Sequence, residues 1–85
     1  QLTRHLAKHL APAITVNAIA PGPFQSRMMK ATLAAAGDGM ARMMPLKRIG
    51  RPEDMAGPAI FLSSKAGAFL TGTIIPVDGG LATTK

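Results

Sequence analysis

The residues best suited to chemistry in this 85-residue chain form a short run in its first third. Pro21-Gly22-Pro23 follows the β-branched segment Ile14–Ala20 (ITVNAIA) and precedes Phe24 and Ser26. Glycine has no Cβ, so its main chain can approach a ligand closely, and proline fixes the direction of a turn. A serine hydroxyl both donates and accepts hydrogen bonds. Taken alone, such a run is most often an ordinary turn at the end of a strand.

Metal and thiol chemistry find little support in the sequence. His5 and His9 are four residues apart and would share a helical face, but a zinc-protease motif needs Glu directly after the first His, where Leu6 stands. We therefore expect a solvated or interface face there and no metal site. The chain has no Cys, which excludes a disulfide framework and fits a reducing, cytoplasmic setting.

The formal charge of +6, from ten Lys and Arg against four Asp and Glu, read alone suggests an anionic partner. The basic residues are spread along the chain, and the aromatic residues are three Phe, with no Tyr or Trp to stack on bases. We therefore expect no nucleic-acid partner. Gly and Pro interrupt every apolar stretch well short of the roughly 18 residues that span a bilayer, so we expect no membrane insertion.

The order of predicted elements is helix, strand, helical segment, helix, strand. Leu2, Leu6 and Leu10 form one apolar stripe of a helix over residues 1–10. Residues 14–20 are apolar on both faces apart from two polar positions, which is typical of a strand buried between layers. A last strand is predicted from Thr73 to Val77. This alternation favours an α/β layered fold with a parallel sheet.

The segment of residues 24–50 contains five of the six Met. Gly37-Asp38-Gly39 is expected to divide it into two short helices. Flexible thioethers on such helices suit an adaptable cover over an apolar ligand, although Met at helical spacing more often belongs to a core. Pro52-Glu53-Asp54 then predicts a helix start, and Pro58 predicts either a kink or a start later than Pro52.

Three motifs, in order, resemble those of the short-chain dehydrogenase/reductase family. Residues 14–28 (ITVNAIAPGPFQSRM) resemble the segment that follows the family's catalytic helix, and Arg48–Asp54 resembles its R-x-G-x-P-E-D helix entry. Residues 71–80 resemble its T-G-x-x-x-x-V-D-G-G closing strand. One such motif is weak, whereas three at compatible spacings are specific. Within the family the resemblance is closest to 3-oxoacyl-(acyl-carrier-protein) reductases.

The resemblance implies the C-terminal part of a Rossmann-type, doubly wound parallel sheet, with residues 1–85 as one portion of a single NAD(P)-binding domain and residues 24–50 as its substrate lid. It implies hydride transfer between NAD or NADP and a carbonyl or alcohol. The family's phosphate-binding glycine turn and catalytic Ser, Tyr and Lys lie upstream of these motifs, and this sequence contains no Tyr. We expect no catalytic residue here and no activity from these residues alone.

The resemblance also assigns roles to individual residues. The backbone of Phe24 would hydrogen-bond the nicotinamide carboxamide, beside Pro21 and Gly22, at the carboxyl end of the strand. Ser26 stands where the family usually has Thr, and its hydroxyl can still form that hydrogen bond. The substrate side of the lid would be lined by Met28, Met29, Met43 and Met44.

Partners follow from charge and from the uncharged stretch of residues 67–77. The basic lid residues, including Arg42 and Lys47, would attract an acidic acyl carrier, or would simply be solvated. An uncharged edge strand invites pairing, and the resemblance implies a homo-oligomer, a dimer or tetramer, in contact there. Two alternatives stay open at this point: a small basic module that binds nucleic acid or an acidic protein, and an inactive partial chain.

Overall fold

The two β-branched segments form a two-stranded parallel sheet in the computed structural model, which describes residues 1–24 and 30–84. Strand β1 is Ala18–Pro21 and strand β2 is Ile74–Val77, and they pair with Ala18 opposite Ile74 and Pro21 opposite Val77. The parallel orientation predicted from the alternation of elements is confirmed. Both strands therefore end at the same edge of the sheet.

Strand β1 begins four residues after the predicted start at Ile14. Before Ala18, hydrogen bonds that involve side chains take the place of strand pairing. The N–H of Val16 donates to Oγ1 of Thr71, at 3.0 Å. The Asn17 amide donates to the carbonyl oxygen of Leu70 and accepts from the N–H of Thr73. The predicted burial on both faces is wrong for this chain, because Ile14 is 53% exposed and Ala20 and Pro21 are exposed. Two strands and the helices beside them supply too few layers to cover both faces.

In residues 1–24 and 30–84, four helical elements accompany the sheet. Helix α1 is Leu2–Leu10, α2 is Lys30–Met43, α3 is Pro52–Ser63, and a short 3₁₀ turn covers Lys65–Gly67. Helix α1 ends before Pro12, as predicted, since the backbone of Ala11 is already extended. Within the described residues, no helix is long and apolar enough to cross a membrane.

Helix α2 runs through Gly37-Asp38-Gly39, so the prediction of two short helices separated there is wrong. Glycine in a helix interior costs about 1 kcal/mol relative to alanine, but it does not block the helical backbone sterically. The residues around the two glycines are mainly Ala and Met, which favour helix, and the helix continues.

Helix α3 begins at Pro52, as Pro52-Glu53-Asp54 predicted. The alternative prediction, that the helix starts later than Pro52, is wrong. Pro58 lies inside the helix, where its missing N–H removes one backbone hydrogen bond. The half-buried residues Met55, Pro58 and Leu62 share one face, whereas Ile60 is 67% exposed.

Burial within the described residues is limited. The buried apolar side chains are Ala7 and Met44, each 3% exposed. The predicted leucine stripe of α1 is not buried here, because Leu2 is 69% exposed and Leu6 and Leu10 are also exposed. The chain therefore presents a large share of its apolar side chains on its surface.

Candidate functional site

The turn that leaves β1 lies at the carboxyl edge of the sheet, and two neighbouring segments hold it in place. The N–H of Gly22 donates to the carbonyl oxygen of Val77, at 3.0 Å, which extends the pairing one residue beyond the strand. The N–H of Gly50 donates to the carbonyl oxygen of Pro23, at 2.9 Å, and Phe24 and Gly50 form an isolated parallel bridge. Open α/β sheets bind their ligands at this edge.

Gly22 is required by a neighbour within the chain. A Cβ atom built on Gly22 would lie 2.7 Å from the Cβ and 2.9 Å from the Cα of Asp78. The sequence predicted that the nicotinamide approaches this glycine closely. On the side where a Cβ would lie, however, Asp78 occupies the space. The Asp78 carboxylate in turn accepts hydrogen bonds from the N–H groups of Gly80 and Ala82, both at 3.1 Å, and so fixes the turn after β2.

A second glycine makes room for Phe24. A Cβ atom on Gly50 would lie 2.6 Å from Cε1 of the Phe24 ring and 2.7 Å from Cδ1 and Cζ. The ring therefore packs directly on the main chain of residue 50. No described residue accepts a hydrogen bond from the N–H of Phe24.

An ion pair joins the segment before Gly50 to the start of α3. Arg48 donates to Asp54 through two nitrogen atoms, Nη1 to Oδ2 at 2.6 Å and Nη2 to Oδ1 at 3.0 Å. Oδ2 of Asp54 also accepts from the N–H of Arg51, at 2.8 Å, and so caps the helix. The hydrogen bonds from Arg48, and then from Arg51, hold the pKa of Asp54 well below its usual range. The same carboxylate raises the pKa of Arg48.

The basic residues of the predicted lid are partly engaged. Besides Arg48, Lys47 donates from Nζ to the carbonyl oxygen of Arg42, at 2.9 Å, and its own backbone has a positive φ of 59°. Arg51 lies 3.9 Å from the carboxylate of Glu53. The predicted attraction of an acidic partner therefore concerns a surface whose charges are partly neutralised.

A cavity of about 320 Å³ lies between this turn, the segment before α3 and the end of β2. Its wall includes Phe24, Met44, Leu46, Arg48, Val77 and Gly79. The wall is mainly apolar, and its charged groups are the paired Arg48 and Asp54 together with Asp78. Such a mixture suits an apolar ligand with few polar contacts.

The structure brings Pro21, Gly22 and Phe24 together at one edge, as the sequence indicated. Of the predicted lid residues, Met44 is buried in the cavity wall, whereas Met43 is 74% exposed. Three of the predicted site residues lie outside the described residues, namely Ser26, Met28 and Met29. The ligand contacts assigned to all eight predicted site residues stay predictions.

Sequence reasoning missed Gly50 and Asp78 as parts of this site. Both belong to the recognised motifs, Gly50 to Arg48–Asp54 and Asp78 to the closing strand. Their partners, Phe24 and Gly22, are 26 and 56 positions away along the chain, and only the fold shows that they are in contact.

A family model described as enoyl-(acyl carrier protein) reductase matches residues 1–82. A crystal structure of a short-chain dehydrogenase/reductase from Brucella melitensis matches 96% of this chain and 34% of its own length, with a TM-score of 0.91 and 38% identity. The chain belongs to the short-chain dehydrogenase/reductase family. The family resemblance noted in the three motifs and the Rossmann-type fold it implied are confirmed.

A curated protein and a solved structure, both from Pseudomonas aeruginosa, are also similar to this chain. The rhamnolipid-biosynthesis 3-oxoacyl-[acyl-carrier-protein] reductase is 49% identical over 83 residues, 94% of this chain and 32% of its own length. The solved RhlG/NADP active-site complex is 48% identical, with a TM-score of 0.86, over 95% of this chain and 34% of its own. The chain thus spans about a third of the length of the curated relatives it matches.

Proposed function

We propose that residues 1–85 form the C-terminal portion of an NAD- or NADP-dependent oxidoreductase that transfers hydride between the cofactor and a carbonyl or alcohol. The observation that supports this most is the exit of β1. There, the Pro21-Gly22-Pro23 turn lies at the carboxyl edge of a parallel sheet, and main-chain hydrogen bonds join it to Val77 and Gly50. That edge is where dinucleotides bind in doubly wound sheets.

The residues of the turn fit a nicotinamide carboxamide. Pro21 is exposed at the end of β1, and Phe24 has a main-chain N–H with no acceptor among the described residues. An amide donor in a fixed position matches the carboxamide oxygen of the cofactor. A 48% identical relative was solved in complex with NADP, which supports a nicotinamide cofactor, and Ser26 is proposed as a further contact.

When bound, the cofactor supplies the hydride to a carbonyl or accepts it from an alcohol. In this proposal the described residues of the chain hold the nicotinamide ring against the exit of β1 and exclude water from one side of it. Proton transfer to the substrate oxygen needs a residue of suitable pKa, for which the family uses Tyr. Because the sequence has no Tyr, we propose that these 85 residues alone do not catalyse the reaction.

The segment of residues 24–50 is proposed to cover the substrate. The cavity beside it has an apolar wall that includes Met44 and Leu46. The apolar chain of a 3-oxoacyl substrate matches this wall, and one relative is named as a 3-oxoacyl-[acyl-carrier-protein] reductase. In this proposal Met28, Met29 and Met43 contribute to the same cover, and Arg42 and Lys47 attract an acidic carrier.

A homo-oligomeric assembly is proposed from the exposed apolar residues around α3 and β2. Ile60 is 67% exposed, Ile74 is 47% exposed, and Phe69 is fully exposed. No charged residue lies between positions 67 and 77, so a second copy would bury this surface without desolvating an unpaired charge.

The proposed function is tested on the full-length protein that contains this chain. We expect NADPH or NADH absorbance to fall when a 3-oxoacyl thioester or another carbonyl compound is added. Titration of the protein with each cofactor, in the absence of a carbonyl substrate, measures the dissociation constants. Binding of neither cofactor would contradict the proposal, and retention on DNA that weakens steeply with salt would favour the basic binding module instead.

A further inference from the structure

Gly50, in the segment that precedes α3, contacts the residues of the proposed cofactor site. The N–H of Gly50 holds the carbonyl oxygen of Pro23, and the Phe24 ring occupies the position that a side chain on residue 50 would need. The main chain of Phe24 is therefore located by residue 50 through a hydrogen bond on one side and a packing contact on the other.

Residue 50 is itself fixed by the ion pair that spans it. The Asp54 carboxylate binds the guanidinium of Arg48 on one side of Gly50 and the N–H of Arg51 on the other. A carboxylate and a guanidinium in this two-bond arrangement have a defined relative orientation. The stretch from Arg48 to Arg51 is thereby anchored to the first turn of α3.

We propose that Gly50, held by Arg48 and Asp54, is a positioning residue for the nicotinamide: it determines the place of the Phe24 main chain and through it the affinity for the cofactor. This inference rests on the proposed function, in which Phe24 binds the carboxamide. It assigns no ligand contact to Gly50. Its effect passes through Phe24, because a Cβ at position 50 collides with the Phe24 ring and the N–H of Gly50 binds the carbonyl oxygen of the preceding Pro23.

The test uses Gly50→Ala in the full-length protein, with Gly57→Ala as the matched control. Apart from its chain neighbours and the backbone of its own helix, no heavy atom of the described residues lies within 4 Å of a Cβ at Gly57, so the control adds the same methyl group without a collision. We expect Gly50→Ala to raise the dissociation constant for the preferred cofactor about tenfold, measured on folded protein, and Gly57→Ala to leave it unchanged. The KM for the carbonyl substrate should rise less than the KM for the cofactor.

A double-variant cycle separates positioning from general damage to the fold. Phe24→Ala removes the ring atoms that collide with a Cβ at residue 50. Gly50→Ala should therefore raise the cofactor dissociation constant less than about twofold in the Phe24→Ala background. A merely structural role would lower the melting temperature in both backgrounds and leave the affinity of the folded fraction alone.

The outcomes distinguish this inference from the proposed function. A parent protein that binds neither NADH nor NADPH would overturn both. A parent that binds cofactor while Gly50→Ala binds it equally well, or loses affinity equally in both backgrounds, would overturn the positioning role alone. If Gly50→Ala yields no folded protein, Arg48→Lys replaces it, since Lys cannot form the two-bond pair with Asp54. An affinity lowered about threefold would then support the role, and an unchanged affinity would overturn it.

Discussion

Gly22 and Asp78 approach so closely that a Cβ atom on the glycine would lie 2.7 Å from the Cβ of the aspartate. The exit of β1 and the end of β2 therefore meet main chain to main chain. Because Asp78 also accepts hydrogen bonds from Gly80 and Ala82, this one contact links the proposed cofactor edge to the C-terminal turn.

The first prediction concerns that contact. Gly22→Ala should lower the free energy of unfolding of the full-length protein by about 1–3 kcal/mol, because the backbone of Asp78 has to move to admit the methyl group. Gly57→Ala, with open space around its Cβ, should be neutral or should stabilise α3 by about 0.5–1 kcal/mol. Urea unfolding of both variants measures the difference. Equal stability of the two would contradict the close approach.

The elements of the fold were predictable where a local rule decides them. Pro12 and Pro52 mark a helix end and a helix start, and β-branched residues mark β2. The β-branched run at residues 14–16 lies before β1 and not within it. The rule failed at Gly37-Asp38-Gly39, where the cost of two glycines is smaller than the tendency of the surrounding residues to form helix.

The site was predictable only in part, because its contacts are between distant parts of the chain. The motif placed Phe24 at the strand end, but nothing in the spacing of residues relates Phe24 to Gly50. Likewise the burial of Met44 beside an exposed Met43 depends on the approach of Gly79 and Leu46, which a helical pattern does not encode.

A second prediction follows from the lowered pKa of Asp54. The carboxylate is favoured in the folded state, so its stabilising effect is complete above about pH 4, the usual pKa of an unfolded Asp. It is lost progressively as the pH falls through the lower folded pKa. The stability difference between the parent and Asp54→Asn should therefore be constant at neutral pH and shrink in acid.

Urea midpoints of the parent and Asp54→Asn, from about pH 7 to about pH 2, measure this difference. The stability difference between the parent and Arg48→Met should also shrink in acid. Because the two side chains act as a pair, the double variant Arg48→Met/Asp54→Asn should be no less stable than a single variant. A difference that grows as the pH falls would contradict the sign.

A third prediction concerns Asn17, whose amide bonds both the carbonyl oxygen of Leu70, at 3.1 Å, and the N–H of Thr73, at 3.0 Å. Asn17→Ala leaves these two main-chain groups without their partner and should cost about 1–3 kcal/mol for each that stays dry. Thr15→Ala, at an exposed position nearby, should change stability by less than about 0.5 kcal/mol.

Asn17→Asp refines that test through pH. An ionised carboxylate can accept from Thr73 but cannot donate to Leu70, whereas a protonated carboxyl can do both. Asn17→Asp should therefore gain stability relative to the parent as the pH falls below about 5. A relative stability that is independent of pH would show that the donor to Leu70 contributes nothing.

The last prediction concerns the proposed oligomer. Phe69 is fully exposed in the turn before β2, close in sequence to a strand whose Ile74 is 47% exposed. If a second copy covers this surface, Phe69→Asp would place an unpaired carboxylate in an apolar contact, which is costly. We expect the full-length Phe69→Asp variant to elute with a smaller mass in light-scattering chromatography, while Phe69→Leu keeps the parent mass because it preserves apolar area. An unchanged mass for Phe69→Asp would place the subunit contact elsewhere.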